Sequence, residues 1–180
     1  MPKSVPRRSL VSDEDRRQMA ELAAWTAGAL GTPRQTPFGA AVVATADGTP
    51  LLRRLNAVAA EHDPSSHAEV RVLRAACKRL RATRLAGYTL YTTCEPCPMC
   101  MSMALWAGID RVVYGATIAD AARHCAQIYV PARTVARRSD MDCRVDGPVG
   151  RSACVALFED PRQQAAMKLW PKAKARAKPR

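Results

Sequence analysis

Two short motifs in the middle of the chain carry residues that could do chemistry together. They are His-Ala-Glu at residues 67–69 and Pro-Cys-Pro-Met-Cys at residues 96–100. An imidazole and two thiolates are typical zinc ligands, and they supply three bonds to the metal. A structural zinc site normally adds a fourth side chain, whereas a catalytic site leaves the fourth position to a water molecule. The motifs therefore predict a catalytic Zn²⁺ site with His67, Cys97 and Cys100 as ligands.

Glu69 follows the histidine by two residues and is the acid of this predicted site. Zinc lowers the pKa of a bound water molecule to about 7, so a neighbouring carboxylate can carry the proton that the water releases. We therefore predict that Glu69 is the proton shuttle. The alternative is a solvated carboxylate in the first turn of a helix, where it would only complement the helix dipole.

A further cysteine, Cys94, stands three residues before the pair. As a fourth ligand it would close the site and make it structural. Cys94 falls at the end of a predicted strand, however, so we expect its side chain to point elsewhere and to pack as a small apolar group.

The two motifs resemble the signature of the zinc-dependent cytidine/deoxycytidylate deaminase superfamily. Within the superfamily, the chain is most similar to the guanine deaminase branch, over roughly residues 13–125. The segments that carry the resemblance are Pro-Phe-Gly-Ala at 37–40, Asn56, Asp-Pro-Ser-Ser-His-Ala-Glu-Val at 63–70 and Leu-Tyr-Thr-Thr-Cys-Glu-Pro-Cys-Pro-Met-Cys at 90–100. The resemblance implies a nucleobase or nucleoside deaminase.

The implied reaction is the hydrolytic removal of an exocyclic amino group from a heterocyclic base or nucleoside, with release of ammonia. A zinc-bound hydroxide is the nucleophile, and Glu69 returns the proton to a ring nitrogen and then to the leaving amine. The resemblance also implies a homodimer, although the sequence does not indicate which surface is used.

Four residues are predicted to bind the substrate. By resemblance, Asn56 holds the base and the backbone N–H of Ala68 reaches a ring carbonyl, although Asn56 could instead cap a turn. Phe38 and Trp106 are candidates to stack on a flat base, although aromatic residues on strands and helices are often simply core residues.

The substrate remains open because the chain departs from the guanine branch in two places. That branch carries aspartates where this chain has residues 124–129, which contain no acid, and it ends in an aromatic tail that is missing after Trp170. Guanosine, another aminopurine, an aminotriazine or cytosine are therefore alternatives to guanine.

Two other functions compete with a small-molecule deaminase. A transfer-RNA adenosine deaminase would share the metal site and would give the basic termini a purpose. Against it, that branch usually has Leu at the position of Cys94 and Val-Gly where this chain has Phe38-Gly39. A non-catalytic zinc module that binds nucleic acid is the third reading, and it requires a closed, four-ligand site.

Helices and strands alternate around the two motifs, and both motifs fall at predicted helix N-termini, where the dipole favours a thiolate. The predicted helices cover 13–30, a segment beginning at 65 or 66, 96–107, 118–124 and 152 to about 170, and the predicted strands cover 39–45, 51–55, 88–92, 111–115 and 127–130. Residues 131–150 are predicted to be a loop. The alternation predicts an α/β domain with a mixed sheet. The resemblance implies a three-layer α/β/α cytidine deaminase-like fold with a mixed five-stranded sheet.

The composition fits one domain, because the chain has 180 residues of which 48% are apolar. We predict a flexible arm at 1–11, a single zinc deaminase domain at 12–170 and a basic disordered tail at 171–180. The net charge of +12 is concentrated at the ends, where ten Lys and Arg lie in 1–10 and 162–180 without any acid. No apolar run approaches the length of about 20 residues that spans a membrane. Because seven cysteines argue against a disulfide framework, we predict a cytoplasmic protein without a membrane partner.

Overall fold

The structure, a computed structural model, describes residues 11–32 and 36–163. Its helices are α1 (Asp13–Gly28), α2 (Val58–Glu61), α3 (Ala68–Leu80), α4 (Pro98–Trp106), α5 (Ile118–Ala121), α6 (Ala132–Arg137) and α7 (Arg151–Glu159). Its strands are β1 (Gly39–Ala44), β2 (Pro50–Leu55), β3 (Tyr88–Cys94), β4 (Arg111–Ala116) and β5 (Arg144–Asp146). The predicted arm up to residue 10, the end of the last predicted helix from 164 and the basic tail lie outside the described residues.

The five strands form one mixed sheet in the order β2-β1-β3-β4-β5. β1 is antiparallel to β2 and to β3, whereas β3, β4 and β5 are parallel. The strands predicted at 39–45 and 51–55 form β1 and β2 of a hairpin. Gly48 in its turn has a φ of +73°, which glycine adopts without a steric penalty. The predicted α/β fold with a mixed five-stranded sheet is confirmed.

The sheet separates two apolar cores, because successive residues of a strand point to opposite faces. Leu90 of β3 and Val112 of β4 pack in the core that includes α3, α4 and α6. Tyr91 and Val113, their immediate neighbours, pack in the core that includes α1 and α7. The fold therefore has three layers, with the sheet between two layers of helices. Because β3 and β4 are parallel, the residues that follow them lie at the same end of the sheet.

Most helix boundaries follow the sequence prediction with small shifts, but the end of the last helix was predicted wrongly. Helix α7 ends at Glu159, before an extended Asp160 and Pro161, whereas a helix to about residue 170 was predicted. Helix α1 begins after a Ser12 cap that forms a reciprocal capping box with Asp15, as its sequence predicts. Helix α3 begins at Ala68 after His67, and α4 begins at Pro98 after Cys97. The short helix α2 is an added turn inside a predicted loop. Among the described residues, no helix has both the length and the apolar character to span a membrane.

The prediction of the fifth strand was wrong. Residues 127–130 form no strand, and β5 lies at Arg144–Asp146, inside the segment predicted as a loop. Val145 is buried against β4, and Asp146 accepts a hydrogen bond of 2.5 Å from Arg111. The ion pair between Arg111 and Asp146, which are distant in the sequence, therefore helps to hold β5 as the edge strand. A local apolar pattern does not reveal this contribution. The same predicted loop also contains α6.

Candidate active site

The predicted metal ligands come together where two helices begin. His67 is the N-cap residue of α3 and Cys97 is the N-cap residue of α4, with Cys100 in the first turn of α4. Their ligand atoms lie within 4.8 Å of one another. The Nδ1 atom of His67 is 3.8 Å from the Sγ atom of Cys97 and 3.4 Å from that of Cys100, and the two sulfur atoms are 3.6 Å apart.

These separations fit a tetrahedral zinc ion. Bonds of about 2.3 Å to sulfur and about 2.0 Å to nitrogen place the ligand atoms of one tetrahedron about 3.5 to 3.8 Å apart. The separations of 3.6 and 3.8 Å lie in that range, and the separation of 3.4 Å lies 0.1 Å below it. The donor set of one imidazole and two thiols is also the one that zinc prefers. His67, Cys97 and Cys100 therefore form a group that could hold a zinc ion.

The electrostatics of the group favour a cation. A hydrogen bond from Cys100, followed by one with His67, outweighs burial and lowers the pKa of the Cys97 thiol to about 4. The same bond to Cys97, together with burial, raises the pKa of Cys100 well above its usual value. Burial alone would lower the pKa of His67, but the Cys97 thiolate and Glu69 raise it. Negative charge is therefore concentrated at Cys97.

Glu69 lies beside the group, in the first turn of α3, and is 6% exposed. Burial raises the pKa of its carboxyl group above the ordinary value. The hydroxyl of Thr92 in β3 is 3.3 Å from Oε1 of Glu69 and 3.0 Å from the carbonyl oxygen of Cys94. Thr92 therefore fixes the carboxyl group against the sheet, next to the metal ligands. The reading of Glu69 as a solvated surface carboxylate does not fit this burial.

A cavity of about 240 Å³ opens beside these residues. Its walls combine the ligand motifs, the end of β3 and a segment that precedes α6. The lining residues are Phe38, His67, Glu69, Cys94, Glu95, Cys97, Ala126, Gln127 and Ile128. A flat base has room beside the metal group in a cavity of this size, and the carboxyl group of Glu69 is at its wall.

Cys94 packs rather than joining the metal group. It is the last residue of β3, is 4% exposed and belongs to the core that contains α1 and α7. Its sulfur is 4.0 Å from the carbonyl oxygen of Thr117. Within the described residues, the cluster of possible ligands contains three members, none of which is Cys94. A closed, four-ligand site is therefore not formed.

Of the two aromatic candidates, Phe38 lies at the cavity and Trp106 does not. Phe38 lines the cavity and packs edge-on against Phe158 of α7, with ring centroids 5.4 Å apart. Trp106 is not among the residues that line this cavity. It is 71% exposed and lies beside a separate groove with Val130 and Met141. The expectation that Trp106 walls the base was wrong for the cavity of its own chain, because the side chain at the end of α4 points outward.

The two candidates for hydrogen bonding to the substrate are the side chain of Asn56 and the backbone N–H of Ala68. The side-chain oxygen of Asn56 accepts a hydrogen bond from the backbone N–H of Val58, as the turn-capping alternative predicts. Its Nδ2 atom is buried and has no partner among the described residues. Ala68 is the first residue of α3, and N–H groups in the first turn of a helix have no acceptor within the helix. Asn56 therefore retains a buried donor and Ala68 directly follows His67, but neither residue is among those that line the cavity.

Four further residues line the cavity and were not predicted as site residues: Glu95, Ala126, Gln127 and Ile128. Glu95 was visible as an acid between the predicted strand and the cysteine pair. The other three fall in the segment 124–129, where the guanine deaminase branch carries aspartates, so the resemblance marked this segment. The local pattern predicted a strand at 127–130 and did not predict a cavity wall. Thr92 was likewise predicted only as a buried strand residue.

Comparison with known proteins identifies the family. The sequence profile of the cytidine and deoxycytidylate deaminase zinc-binding region matches residues 11–116. The chain belongs to this family. The family's domain binds Zn²⁺, which agrees with the geometry of His67, Cys97 and Cys100.

Individual relatives point to two kinds of deaminase. Guanine deaminase of Bacillus subtilis (strain 168) is 46% identical over 86 residues, which are 48% of this chain and 54% of that protein. The tRNA-specific adenosine deaminase of Agrobacterium fabrum is 39% identical over 102 residues, which are 57% of this chain and 66% of that protein. The match thus spans about half to two thirds of these relatives. The first of them confirms the resemblance to guanine deaminases.

A solved structure supports the same fold. A chain from a study of A-to-I editing by tRNA:A34 deaminases superposes with a TM-score of 0.67 and 29% sequence identity. The superposition covers 79% of this chain and 99% of that one. The arrangement of sheet and helices is therefore that of the cytidine deaminase-like fold.

Proposed function

We propose that this protein is a zinc-dependent hydrolytic deaminase that removes an exocyclic amino group from a heterocyclic base or nucleoside, in the manner of guanine deaminases. The observation that carries the proposal is the buried carboxyl group of Glu69 beside a three-ligand metal group at a cavity wall. Three side-chain ligands are typical of catalytic zinc sites, whereas structural sites have four. The similarity to guanine deaminase of Bacillus subtilis supports the choice of substrate class.

The metal ligands and Glu69 have separate roles in the proposed reaction. Zinc held by His67, Cys97 and Cys100 would lower the pKa of a bound water molecule and act as a Lewis acid. Glu69 takes a proton from the attacking water and delivers it to the ring nitrogen next to the amino-bearing carbon. A second transfer through Glu69 moves the proton of the added hydroxyl to the amino group. The carbon–nitrogen bond then breaks, and ammonia leaves while the ring retains the oxygen as a carbonyl.

The remaining residues hold the ring in place. Nδ2 of Asn56 and the backbone N–H of Ala68 are donors that suit acceptor atoms of the base, a ring nitrogen or a carbonyl oxygen. The ring of Phe38 supplies an apolar wall for a flat heterocycle. Orientation by several fixed contacts places the amino-bearing carbon next to the water, which is how binding accelerates the reaction.

The decisive experiment measures ammonia release and zinc content together. Purified protein is assayed with guanine, guanosine, adenine, adenosine, cytosine, cytidine and an aminotriazine, and Glu69→Gln is assayed beside it. We expect turnover of at least one compound, and a loss of at least about 100-fold in Glu69→Gln with zinc retained, because the amide cannot carry the proton. Glu21→Gln, at an exposed acid on α1, is the control and should keep full activity. Near-normal turnover in Glu69→Gln would refute the assignment.

A transfer-RNA adenosine deaminase is the second candidate. The Agrobacterium fabrum relative and the superposition on the tRNA:A34 deaminase chain favour it. This function predicts ammonia release only from a transfer-RNA anticodon stem, with a rate that falls steeply as salt rises. Turnover of a free base at a salt-independent rate would exclude it. A non-catalytic zinc module has less support, because the described residues provide three ligands and not four.

We also propose a homodimer, and the exposed apolar groove around Trp106 supports it. Trp106 and Val130, two residues of this groove, are 71% and 37% exposed, and large apolar surfaces on a folded protein commonly mark an interface. We expect Trp106→Glu to shift the protein from dimer to monomer in analytical ultracentrifugation at micromolar concentration. Leu80→Glu, at an exposed leucine of α3 outside this groove, should leave the dimer intact. A monomeric wild type would refute the dimer.

We also propose a cellular compartment for the protein and the extent of its catalytic domain. All seven cysteines are free thiols, which supports a reducing compartment and therefore the cytoplasm. The proposal treats residues 12–170 as the catalytic domain, and the basic residues beyond it as accessory.

A further inference from the structure

One wall of the cavity presents a neutral amide and no acid. Ala126, Gln127 and Ile128 form this wall, and Gln127 contributes its polar side chain. Residues 124–129 contain no Asp or Glu, so the hydrogen-bonding groups that this segment offers to a ligand carry no negative charge. The wall therefore differs chemically from the side that holds Glu69.

A chain of two hydrogen bonds orients the amide of Gln127. Its Nε2 atom donates to the sulfur of Cys125 over 3.1 Å. The fully buried Cys125 donates its thiol proton to the carbonyl oxygen of Ala121 in α5 over 3.7 Å. Burial raises the pKa of the Cys125 thiol, which keeps this proton at neutral pH.

This arrangement determines which end of the amide is free. A thiol has one proton, and that of Cys125 is committed to Ala121, so the sulfur accepts from Gln127. The nitrogen of the amide must therefore face the sulfur. Within the described residues no partner is found for Oε1 or for the second N–H of Gln127, so one acceptor and one donor remain for a ligand in the cavity that this residue lines.

We propose that Gln127 is a specificity-determining residue of the deaminase, with Cys125 as the residue that positions it. The inference rests on the proposed function. A carboxylate at this place would offer acceptors only and would favour a substrate edge with N–H donors. An amide offers one acceptor and one donor, so it does not require an N–H donor on the substrate. Gln127 therefore admits a nucleoside, in which the sugar replaces a ring N–H, as well as the free base, which keeps that N–H.

The test compares free bases with their ribonucleosides. Wild type, Gln127→Glu and Gln127→Ala are assayed for ammonia release from guanine and guanosine, adenine and adenosine, and cytosine and cytidine. We expect Gln127→Ala to lower kcat/KM for the best substrate by about tenfold, the effect of one lost hydrogen bond. Gln127→Glu should raise the ratio of kcat/KM for the free base over its ribonucleoside by about tenfold.

The outcomes separate this inference from the proposed function. Absence of ammonia from every compound with wild-type protein would overturn the proposed function, and this inference with it. An active wild type whose base-to-nucleoside ratio changes less than about twofold in Gln127→Glu would overturn the inference alone.

Cys125 has its own test, because a serine preserves its hydrogen bonds. Cys125→Ala should change the base-to-nucleoside ratio from its wild-type value, because Gln127 loses the group that positions it, whereas Cys125→Ser should restore the wild-type ratio. Cys143→Ala removes a thiol that does not line the cavity, and it should leave the ratio unchanged. Zinc content is measured in each variant. Identical ratios in Cys125→Ala and Cys125→Ser would show that the thiol only fills space, and would overturn its positioning role.

Discussion

At the scale of single residues, Cys94 and Cys97 have different roles because the chain changes from a strand to a helix between them. Cys94 ends a strand and turns into the core, while Cys97, three residues later, caps a helix and faces the imidazole of His67. Their acidities follow from these environments. Burial raises the pKa of the Cys94 thiol well above its usual value, and hydrogen bonds lower that of Cys97 to about 4. Of these two cysteines, Cys97 is therefore the one placed to act as a thiolate ligand.

This difference predicts which cysteine zinc binding requires. Cys97→Ala should reduce the zinc content of the purified protein to a small fraction of one ion per chain, because two ligands do not hold the metal tightly. Cys94→Ala should retain about one ion per chain, with only the stability loss of a small core truncation. Elemental analysis of the dialysed proteins measures both. Loss of zinc in Cys94→Ala would indicate that Cys94 is a ligand.

At the scale of elements, Glu95 joins three parts of the fold. It lies between β3 and α4, and its carboxyl oxygens accept hydrogen bonds from the backbone N–H of Ile118 in α5 over 3.3 Å and of Ala132 in α6 over 3.1 Å. These two helix starts bracket the segment that contains Gln127. Glu95 therefore fixes both ends of the cavity wall while lining the cavity itself.

Removing Glu95 should loosen that wall more than the rest of the domain. In Glu95→Ala the two N–H groups lose their acceptor, and we expect the free energy of unfolding to fall by about 2 kcal/mol. Amide hydrogen exchange should accelerate in residues 118–132 and remain unchanged in β3. Glu159→Gln, at an exposed acid of α7, serves as the control. Uniform acceleration over the whole chain would contradict a local role.

At the scale of the whole molecule, a buried cluster of charged residues links α1 to strands β4 and β5. Arg111 of β4 donates to Asp15 of α1 over 2.6 and 2.9 Å and to Asp146 of β5 over 2.5 Å. Tyr91 of β3 also donates to Asp15, over 2.8 Å. Burial raises the pKa of Asp15, but hydrogen bonds from Arg111, Ser12 and Tyr91 outweigh it and lower the value to about 2.

The low pKa of Asp15 makes part of the stability depend on pH. Because the folded pKa lies below the unfolded value near 3.8, the ionised form stabilises the fold above about pH 4. This contribution, about 2 kcal/mol, is lost as pH falls from about 5 towards 2. We expect the difference in unfolding free energy between wild type and Asp15→Asn to shrink over that range in denaturant titrations. A difference that does not vary with pH would contradict the mechanism.

The sequence by itself determined the local parts of this protein. The two ligand motifs, the proton-carrying glutamate, the hairpin around Asp47-Gly48 and most helix starts follow from residue types within a few positions of one another. Capping residues, turn residues and apolar periodicity act over one or two turns, so their signals are present in the sequence itself.

The tertiary structure decided what depends on residues far apart. It placed the short, charged β5 at the sheet edge through Arg111 and Asp146, turned Trp106 outward and brought Gln127 to the cavity. The apolar run after Gln127 has the composition of a strand. It does not become one because packing and ion pairing between distant elements determine which segment occupies the edge, and no local pattern records them.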